Sequence, residues 1–298
     1  MNKAILKYIV PHKDDGKTVE KICKTRLDIS SKLFVFLKLN GKLTINGEVC
    51  KSIDIVKVDD IIKVDVTEEE PSLNIVPTNI PIEILYEDSF ILVVNKTRNM
   101  SIHPCMGDYE NTLANAITYY WAQKGEKHKF HAVNRIDKDT SGVCVIAKNQ
   151  FAHGVLSSQI KNKSFKRKYM AIVHGVINPD HGTIDMPIKR EKESVIKRIV
   201  AVDGKDAVTE YKTVKKGEKY SLVDIVLYTG RTHQIRVHFS HIGNPLLGDW
   251  LYGIGDEERE LAKGHLLHAY YVEFFHPATK EKMLFNLPLP DDMSQIDI

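Results

Sequence analysis

Apolar positions recur along this chain with two periods, one helical and one alternating. Over Thr18–Leu37, helical spacing links Val19, Ile22, Cys23 and Leu27, then Leu33, Phe36 and Leu37. The same spacing returns over Asn111–Gln123, where Leu113, Ala116, Ile117, Tyr120 and Trp121 share one side. Phe151–Ile160 and Arg231–His241 are further helix candidates, the latter bounded by Gly230 and Gly243. Thr44 and Ile45 sit in a short strand that runs into Asn46-Gly47, a strong tight-turn signal. Asp60–Val66, Ala207–Val214, Tyr220–Tyr228 and His268–Phe275 alternate, and the middle two predict a hairpin around Lys216-Gly217. Ile82–Leu85, Phe90–Asn95, Val143–Ala147 and Tyr169–Val173 read as strands.

Strands outnumber helices and are often neighbours in sequence. The pattern predicts an α+β fold with a mixed, largely antiparallel sheet flanked by helices. Residues 1–66, patterned from residue 16 onward, read as a small accessory module of helices followed by short strands. Residues 67–81 (TEEEPSLNIVPTNIP) hold three consecutive glutamates and three prolines without periodicity, and read as a linker. Residues 82–298 form the main domain. No internal repeat or low-complexity tract interrupts this division.

The length of 298 residues fits about two domains at roughly 150 residues each. Lys and Arg number 42 against 39 Asp and Glu, so the net charge is only +3 and any basic signal must be local. It is local: residues 157–200 carry ten Lys/Arg and four Asp/Glu, a balance of +6. No stretch approaches the ~20 apolar residues of a membrane span, and Met1–Lys13 lacks the pattern of a signal peptide. Cys23, Cys50, Cys105 and Cys144 lie far apart with no C-x-x-C pair. This points to reduced thiols in the cytoplasm rather than a disulfide scaffold or a zinc site.

Three clusters carry candidate chemistry. In Val133-Asn-Arg135-Ile-Asp137-Lys-Asp-Thr140-Ser141-Gly142, a carboxylate sits in a turn leading into an apolar strand, where turn amides and hydroxyls can hold it toward a cleft. A capped structural turn has the same shape. In Phe165-Lys166-Arg167-Lys168-Tyr169, three basic residues precede an aromatic, which suits a phosphate backbone and a stacked base. A solvated charged face beside a core tyrosine is the plainer reading. The third cluster is Gly230-Arg231-Thr232-His233-Gln234-Ile-Arg236-Val-His238. On a helix, Thr232 and Arg236 share a face, as do Arg231, Gln234 and His238, and the helix N-terminus can receive phosphate. His233, His238, His241, His265 and His268 lack an H-x-x-x-H pair or a companion cysteine, so no metal is expected. Neither a Walker A sequence nor G-x-S-x-G occurs, and Gly253-Ile-Gly255-Asp256 reads as a loop.

Taken together and in this order, these residues resemble the pseudouridine synthase signatures. Asn134-Arg135-Ile136-Asp137 with Thr140-Ser141-Gly142 resembles H-R-L-D-x-x-T-S-G. Arg167-Lys168-Tyr169 and Gly230–His238 match the next two motifs. Gly248-Asp249, Tyr252-Gly253, Leu267-His268-Ala269 and His276-Pro277 fit the C-terminal pattern. The likeness is greatest to the branch that modifies large-subunit ribosomal RNA, and residues 16–66 resemble the alpha-L RNA-binding module often fused in front. Three departures stand out. Asn134 replaces the signature histidine, Lys96-Thr-Arg-Asn99 stands where Lys-Pro-x-Gly is usual, and Asp59-Asp60 stands where Gly-Asp is usual.

The resemblance implies isomerisation of uridine within RNA, with no cofactor. Ribosomal RNA is the favoured partner and transfer RNA the other possibility; a monomer is expected. It implies Asp137, Tyr169 and Arg236 as the catalytic set, with Asp137 as nucleophile or general base. The chemistry asks for an ionised carboxylate in a closed pocket, and burial disfavours that charge unless a cation compensates. Arg236 is the expected partner, with Arg231 as the alternative. Tyr169 is expected to stack on the uracil. Arg135 is expected to fill the space left by the everted base or to hold its phosphate. Arg231, Thr232, His233, Gln234, Lys166, Arg167 and Lys168 complete the expected RNA-binding set. A catalytically silent RNA-binding protein of the same fold is the competing reading.

Overall fold

A computed structural model describes residues 3–68, 70–72, 74–105, 107–255 and 262–298. The N-terminal unit contains β1 (Ile5–Ile9), α1 (Val19–Thr25), α2 (Ser31–Leu39), β2 (Leu43–Ile45), β3 (Glu48–Val49) and β4 (Ile61–Asp65). Its four strands make a separate sheet in the order β1-β4-β2-β3. The apolar run over 18–37 divides into two helices because Asp28 turns left-handed (φ +56°) and Ser30 starts a new helix. The Ser30 hydroxyl accepts from the Leu33 amide at 3.3 Å. Asn46 and Gly47 both take positive φ and turn β2 into β3, as the Asn-Gly pair predicts. Val19, Ile22, Leu37, Leu43, Ile62 and Val64 are buried in one core cluster.

Residues 67–81 have no regular element among those described; Glu69 and Leu73 lie outside the described residues. The segment is nevertheless tied down. The Ala4 amide donates to Thr67 Oγ1 at 2.9 Å, the Phe130 amide to Ser72 Oγ at 2.8 Å, and Asn115 Nδ2 to the Val76 carbonyl at 2.7 Å.

The remainder begins with β5 (Glu83–Glu87), β6 (Ile91–Lys96), α3 (Leu113–Gln123), β7 (His131–Ala132) and β8 (Ser141–Ala147). Next come α4 (Gln150–Lys161), β9 (Lys166–His174), β10 (His181–Asp185), β11 (Ile188–Arg190) and β12 (Arg198–Val200). The chain closes with β13 (Val208–Lys216), β14 (Tyr220–Leu227), α5 (Gln234–His241), β15 (Leu267–Phe275), β16 (Lys282–Asn286) and α6 (Asp291–Ser294). One large sheet runs β10-β13-β14-β9-β15-β8-β6-β5, with β7 on β8 and β16 on β15. Its pairs are antiparallel except β15 with β8. This is the expected mixed α+β architecture. The strands that patterning did not reveal are short or largely polar: β1, β7, β10, β16 and the separate hairpin β11–β12.

The parallel contact demands a glycine. Gly142 has φ +116°, and a Cβ there would lie 2.2 Å from the Ala269 carbonyl oxygen. The backbones of β8 and β15 meet closely where the candidate turn enters the sheet. No helix among the described residues is long and apolar enough to cross a membrane.

Candidate active site

Asp137 stands in the turn between β7 and β8, and this turn is held from below by buried polar groups. Asn134 bridges it to the sheet: its Nδ2 donates to the Val143 carbonyl at 3.0 Å and its Oδ1 accepts from the Val145 amide at 2.8 Å. The residue in the histidine position of the signature is thus a backbone brace. Thr140 Oγ1 pairs with His265 Nε2, and Ser141 Oγ with His268 Nδ1, each at 2.8 Å. Burial pulls His268 down to about 4 and His265 well below the usual histidine range, so both act as neutral partners. Lys96 is buried and donates to the carbonyls of Thr97 (2.8 Å), Met100 (2.8 Å) and Lys138 (3.0 Å). Burial lowers its ammonium to about 8. Arg98 reaches the carbonyls of Asp139 at 2.8 Å and His265 at 2.6 Å. The Lys96–Asn99 loop and the Asp137 turn are therefore stapled to each other.

The Asp137 carboxylate keeps a quarter of its side chain exposed and faces Arg236 from α5, with Nη1 to Oδ2 at 3.2 Å. Arg236 is itself clamped by Asp249, through Nε to Oδ2 at 2.6 Å and Nη2 to Oδ1 at 2.8 Å. Burial alone would weaken the guanidinium's charge. The bonds to Asp249 and the nearby Asp137 more than reverse this and hold Arg236 above the usual arginine range. Asp249 Oδ1 also accepts the amides of Leu251 (3.0 Å) and Tyr252 (3.1 Å). The Tyr252 ring lies under the guanidinium, 5.1 Å from Arg236 Cζ. His233 Nε2 lies 4.0 Å from Asp137 Oδ2. Sequence reasoning paired Asp137 with Arg236 but gave Asp249 no role. The only signal for it was its place in the Gly248-Asp249 motif.

A cleft of about 550 Å³ opens above this carboxylate and joins a smaller recess of about 50 Å³ at its foot. Asp137, Arg135, Tyr169 and Arg231 line both spaces, while His103, Arg167 and Thr232 line the cleft. Tyr169 is 4% exposed, and burial pushes its hydroxyl up to about 12. Arg167 is also buried, against Gly230, where any Cβ would meet its guanidinium at 3.0 Å. A roomier groove of about 620 Å³ lies between the N-terminal unit and α4. Across it Lys280 pairs with Asp28 at 2.7 Å, and no comparable set of charged groups converges there.

Three sequence-based placements change. The basic run 166–168 is not one stripe, because side chains alternate along β9. Arg167 and Tyr169 face the cleft, whereas Lys166 pairs with Glu273 at 2.9 Å and Lys168 lies over the Tyr271 ring at 5.4 Å. Helix α5 begins at Gln234 rather than Arg231, because His233 is left-handed (φ +59°) and interrupts the helical path. Arg231 and Thr232 consequently stand in an exposed turn at the cleft. Gln234 and His238 are buried ties: Gln234 Nε2 donates to the Val208 carbonyl and Thr209 Oγ1, each at 3.0 Å, and His238 Nε2 bonds the Met186 carbonyl at 2.9 Å. Gly253 and Gly255 lie in irregular chain, and Asp256 lies outside the described residues. No group of three or more His, Cys, Asp or Glu able to hold a metal occurs among the described residues.

A pocket with cations on its walls, a buried tyrosine, and a carboxylate held by a clamped guanidinium suits an enzyme that works on a nucleic acid. The comparisons make that class specific. The model of a family described as RNA pseudouridylate synthase matches residues 90–241. The uncharacterized RNA pseudouridine synthase YjbO of Bacillus subtilis is 42% identical over 229 residues, covering 77% of this chain and 80% of that protein. The ribosomal large subunit pseudouridine synthase D of Zymomonas mobilis is 41% identical over 230 residues, covering 73% of this chain and 72% of that protein. The solved structure of human RNA pseudouridylate synthase domain containing 1 superposes with a TM-score of 0.58 at 26% identity, over 70% of this chain and 83% of that one. The chain belongs to the RNA pseudouridylate synthase family and is an RNA pseudouridine synthase.

Proposed function

We propose that this enzyme isomerises specific uridines in structured ribosomal RNA, with Asp137 as the reactive carboxylate acting on an everted nucleotide. The bond from ribose C1′ to N1 breaks, the base turns, and C1′ joins C5. N1 gains a proton and C5 loses one, so atoms and electrons balance without a cofactor. The observation that carries this reading is the Asp137 carboxylate at the foot of the 550 Å³ cleft, 3.2 Å from a clamped guanidinium. Arg236 keeps the carboxylate oriented, and Asp249 keeps Arg236 in place. Covalent attack by a carboxylate divides one hard step into two easier ones.

Tyr169 offers its ring to the uracil, and stacking of this kind is worth about 1–3 kcal/mol per base. With its hydroxyl pushed up to about 12, it stays protonated at neutral pH, and little phenolate is present to take a proton. This favours stacking as its main role. Extruding a uridine costs a few kcal/mol, and the exposed Arg135 beside the turn is placed to occupy the vacated stack. Arg167, Arg231 and Thr232 line the path of the RNA backbone, and residues 1–66 add affinity as an RNA-binding module.

Asp137→Ala is expected to abolish pseudouridine formation while leaving RNA affinity within about twofold. Equal activity in the two proteins refutes the assignment. Pseudouridine mapping of total RNA with and without the gene is expected to lose a position in large-subunit ribosomal RNA. Loss confined to transfer RNA refutes that substrate.

A further inference from the structure

His233 was expected to touch RNA, yet its ring nitrogens are turned inward. Nε2 faces Asp137 Oδ2 at 4.0 Å, and Nδ1 lies 2.9 Å from the Tyr252 hydroxyl. That hydroxyl has a second neighbour: the Arg198 backbone amide, at 2.8 Å, in the hairpin β11–β12. An amide can only donate, so the Tyr252 oxygen is the acceptor in that bond. The hydroxyl carries a single hydrogen, and His233 Nδ1 is the acceptor within its reach. Donation from Nδ1 to the same oxygen would leave that hydrogen without a partner in a nearly closed site, at a free-energy cost. The directions therefore run one way, from the Arg198 amide to Tyr252 to His233 Nδ1. A neutral imidazole that accepts at Nδ1 bears its hydrogen on Nε2, and Nε2 faces the carboxylate.

We propose that the Arg198 amide and Tyr252 hold His233 as the Nε2–H tautomer, so that an N–H rather than a lone pair faces the Asp137 carboxylate across 4.0 Å and helps position it. The inference rests on the reading of Asp137 as the reactive group. His233's left-handed backbone aims the ring back across the cleft rather than along α5. Burial lowers the imidazole's basicity, in keeping with a neutral ring. The base of the hairpin is fixed to the same place, since Ile188, Ala207, Val237 and Tyr252 share one small apolar cluster. The hairpin and its flanks carry Lys189, Arg190, Lys192, Lys197 and Arg198. RNA that draws on these cations pulls on the strand whose amide begins the chain of donors. The tautomer facing the reactive carboxylate is thus tied to the seating of the hairpin.

Nitrogen NMR of the imidazoles in the full-length protein reads the tautomer directly, with Tyr252→Phe and His233→Gln as variants. The wild type is expected to show His233 protonated on Nε2, and Tyr252→Phe to shift population to Nδ1–H. Phe keeps the ring in the apolar cluster and beneath Arg236, so the fold is retained. Turnover in Tyr252→Phe is expected to fall about three- to tenfold, the scale of one neutral hydrogen bond, with KM for RNA nearly unchanged. His233→Gln, which keeps a donor at the ε position, should retain more turnover than His233→Ala. An Nδ1–H tautomer in the wild type overturns the inference, as does full turnover in both Tyr252→Phe and His233→Ala. Retained activity in Asp137→Ala refutes the catalytic reading instead, because the tautomer measurement needs no turnover.

Discussion

Two carboxylates with no side-chain exposure organise the two ends of this molecule, and they do so differently. Asp14, in the N-terminal unit, is bonded by Tyr8, by Lys17 at 2.5 Å, and by Arg26 through two nitrogens at 2.6 and 2.8 Å. Both of its oxygens are saturated. The Arg26 guanidinium is the largest influence and holds the Asp14 carboxyl well below the usual range. Asp249 also takes an arginine through two nitrogens, but the third nitrogen of that arginine meets a second carboxylate, Asp137. The first arrangement closes on itself and only holds the chain. The second passes its order on to a partly exposed carboxylate. A buried ion pair becomes part of a site when one member also holds a group that lines the cleft.

This contrast can be broken by mutation. Asp249→Ala should have the largest effect, because it leaves Arg236 buried without its main partner. Loss of one member of a buried pair costs about 3–5 kcal/mol, to be read by urea unfolding, and turnover should fall at least about a hundredfold with it. Arg236→Lys keeps the charge but not the fork that serves Asp249 and Asp137 together. Turnover is expected to fall about tenfold or more while RNA affinity stays nearly level; equal losses of both would assign Arg236 to binding.

At the other end, Asp14→Asn should alter stability and leave turnover of the folded enzyme intact. Because its folded carboxyl is depressed, Asp14 stabilises the native state above the unfolded value of about 4, and this is lost as pH falls through the lower folded value. Melting curves of the wild type should therefore drop more steeply below about pH 4 than those of Asp14→Asn. An identical acid limb in both proteins would remove Asp14 from the comparison. The smallest effect is expected from Lys168→Ala, whose side chain lies across the strand from the cleft. RNA affinity should change by less than about twofold, against a larger loss for Arg167→Ala. A reversal of that order would place the RNA on the far face of β9.

Periodicity made the large elements legible, since long amphipathic segments such as α3 and alternating ones such as β13 and β14 bury one face and show it in sequence. It was silent on β7 and on the hairpin β11–β12, where two or three residues cannot establish a period. The motif residues of the site were legible through the family resemblance, which made Arg236 the expected partner of Asp137 with Arg231 as the alternative. The direction of side chains was not. His233 breaks the helix through a backbone angle that nothing in its neighbours announces, and Lys166 and Lys168 share a run with Arg167 but not a face. Departures from the family pattern proved local and chemically conservative. Asn99 and Asp59 stand where glycine is usual and take the left-handed angle that glycine would (φ +55° and +67°), as short polar side chains can.

The placement of β15 between β8 and β9 has a consequence for synthesis. The aspartate turn leads into β8 and the tyrosine sits on β9, and these strands do not pair with each other; each pairs with β15. While the chain is being made, the two halves of the pocket exist with nothing to join them. Only when residues 267–275 have emerged does the seam close and the cleft acquire its shape. The cleft thus takes its shape only after a strand far along the chain from both of its walls has entered the sheet between them.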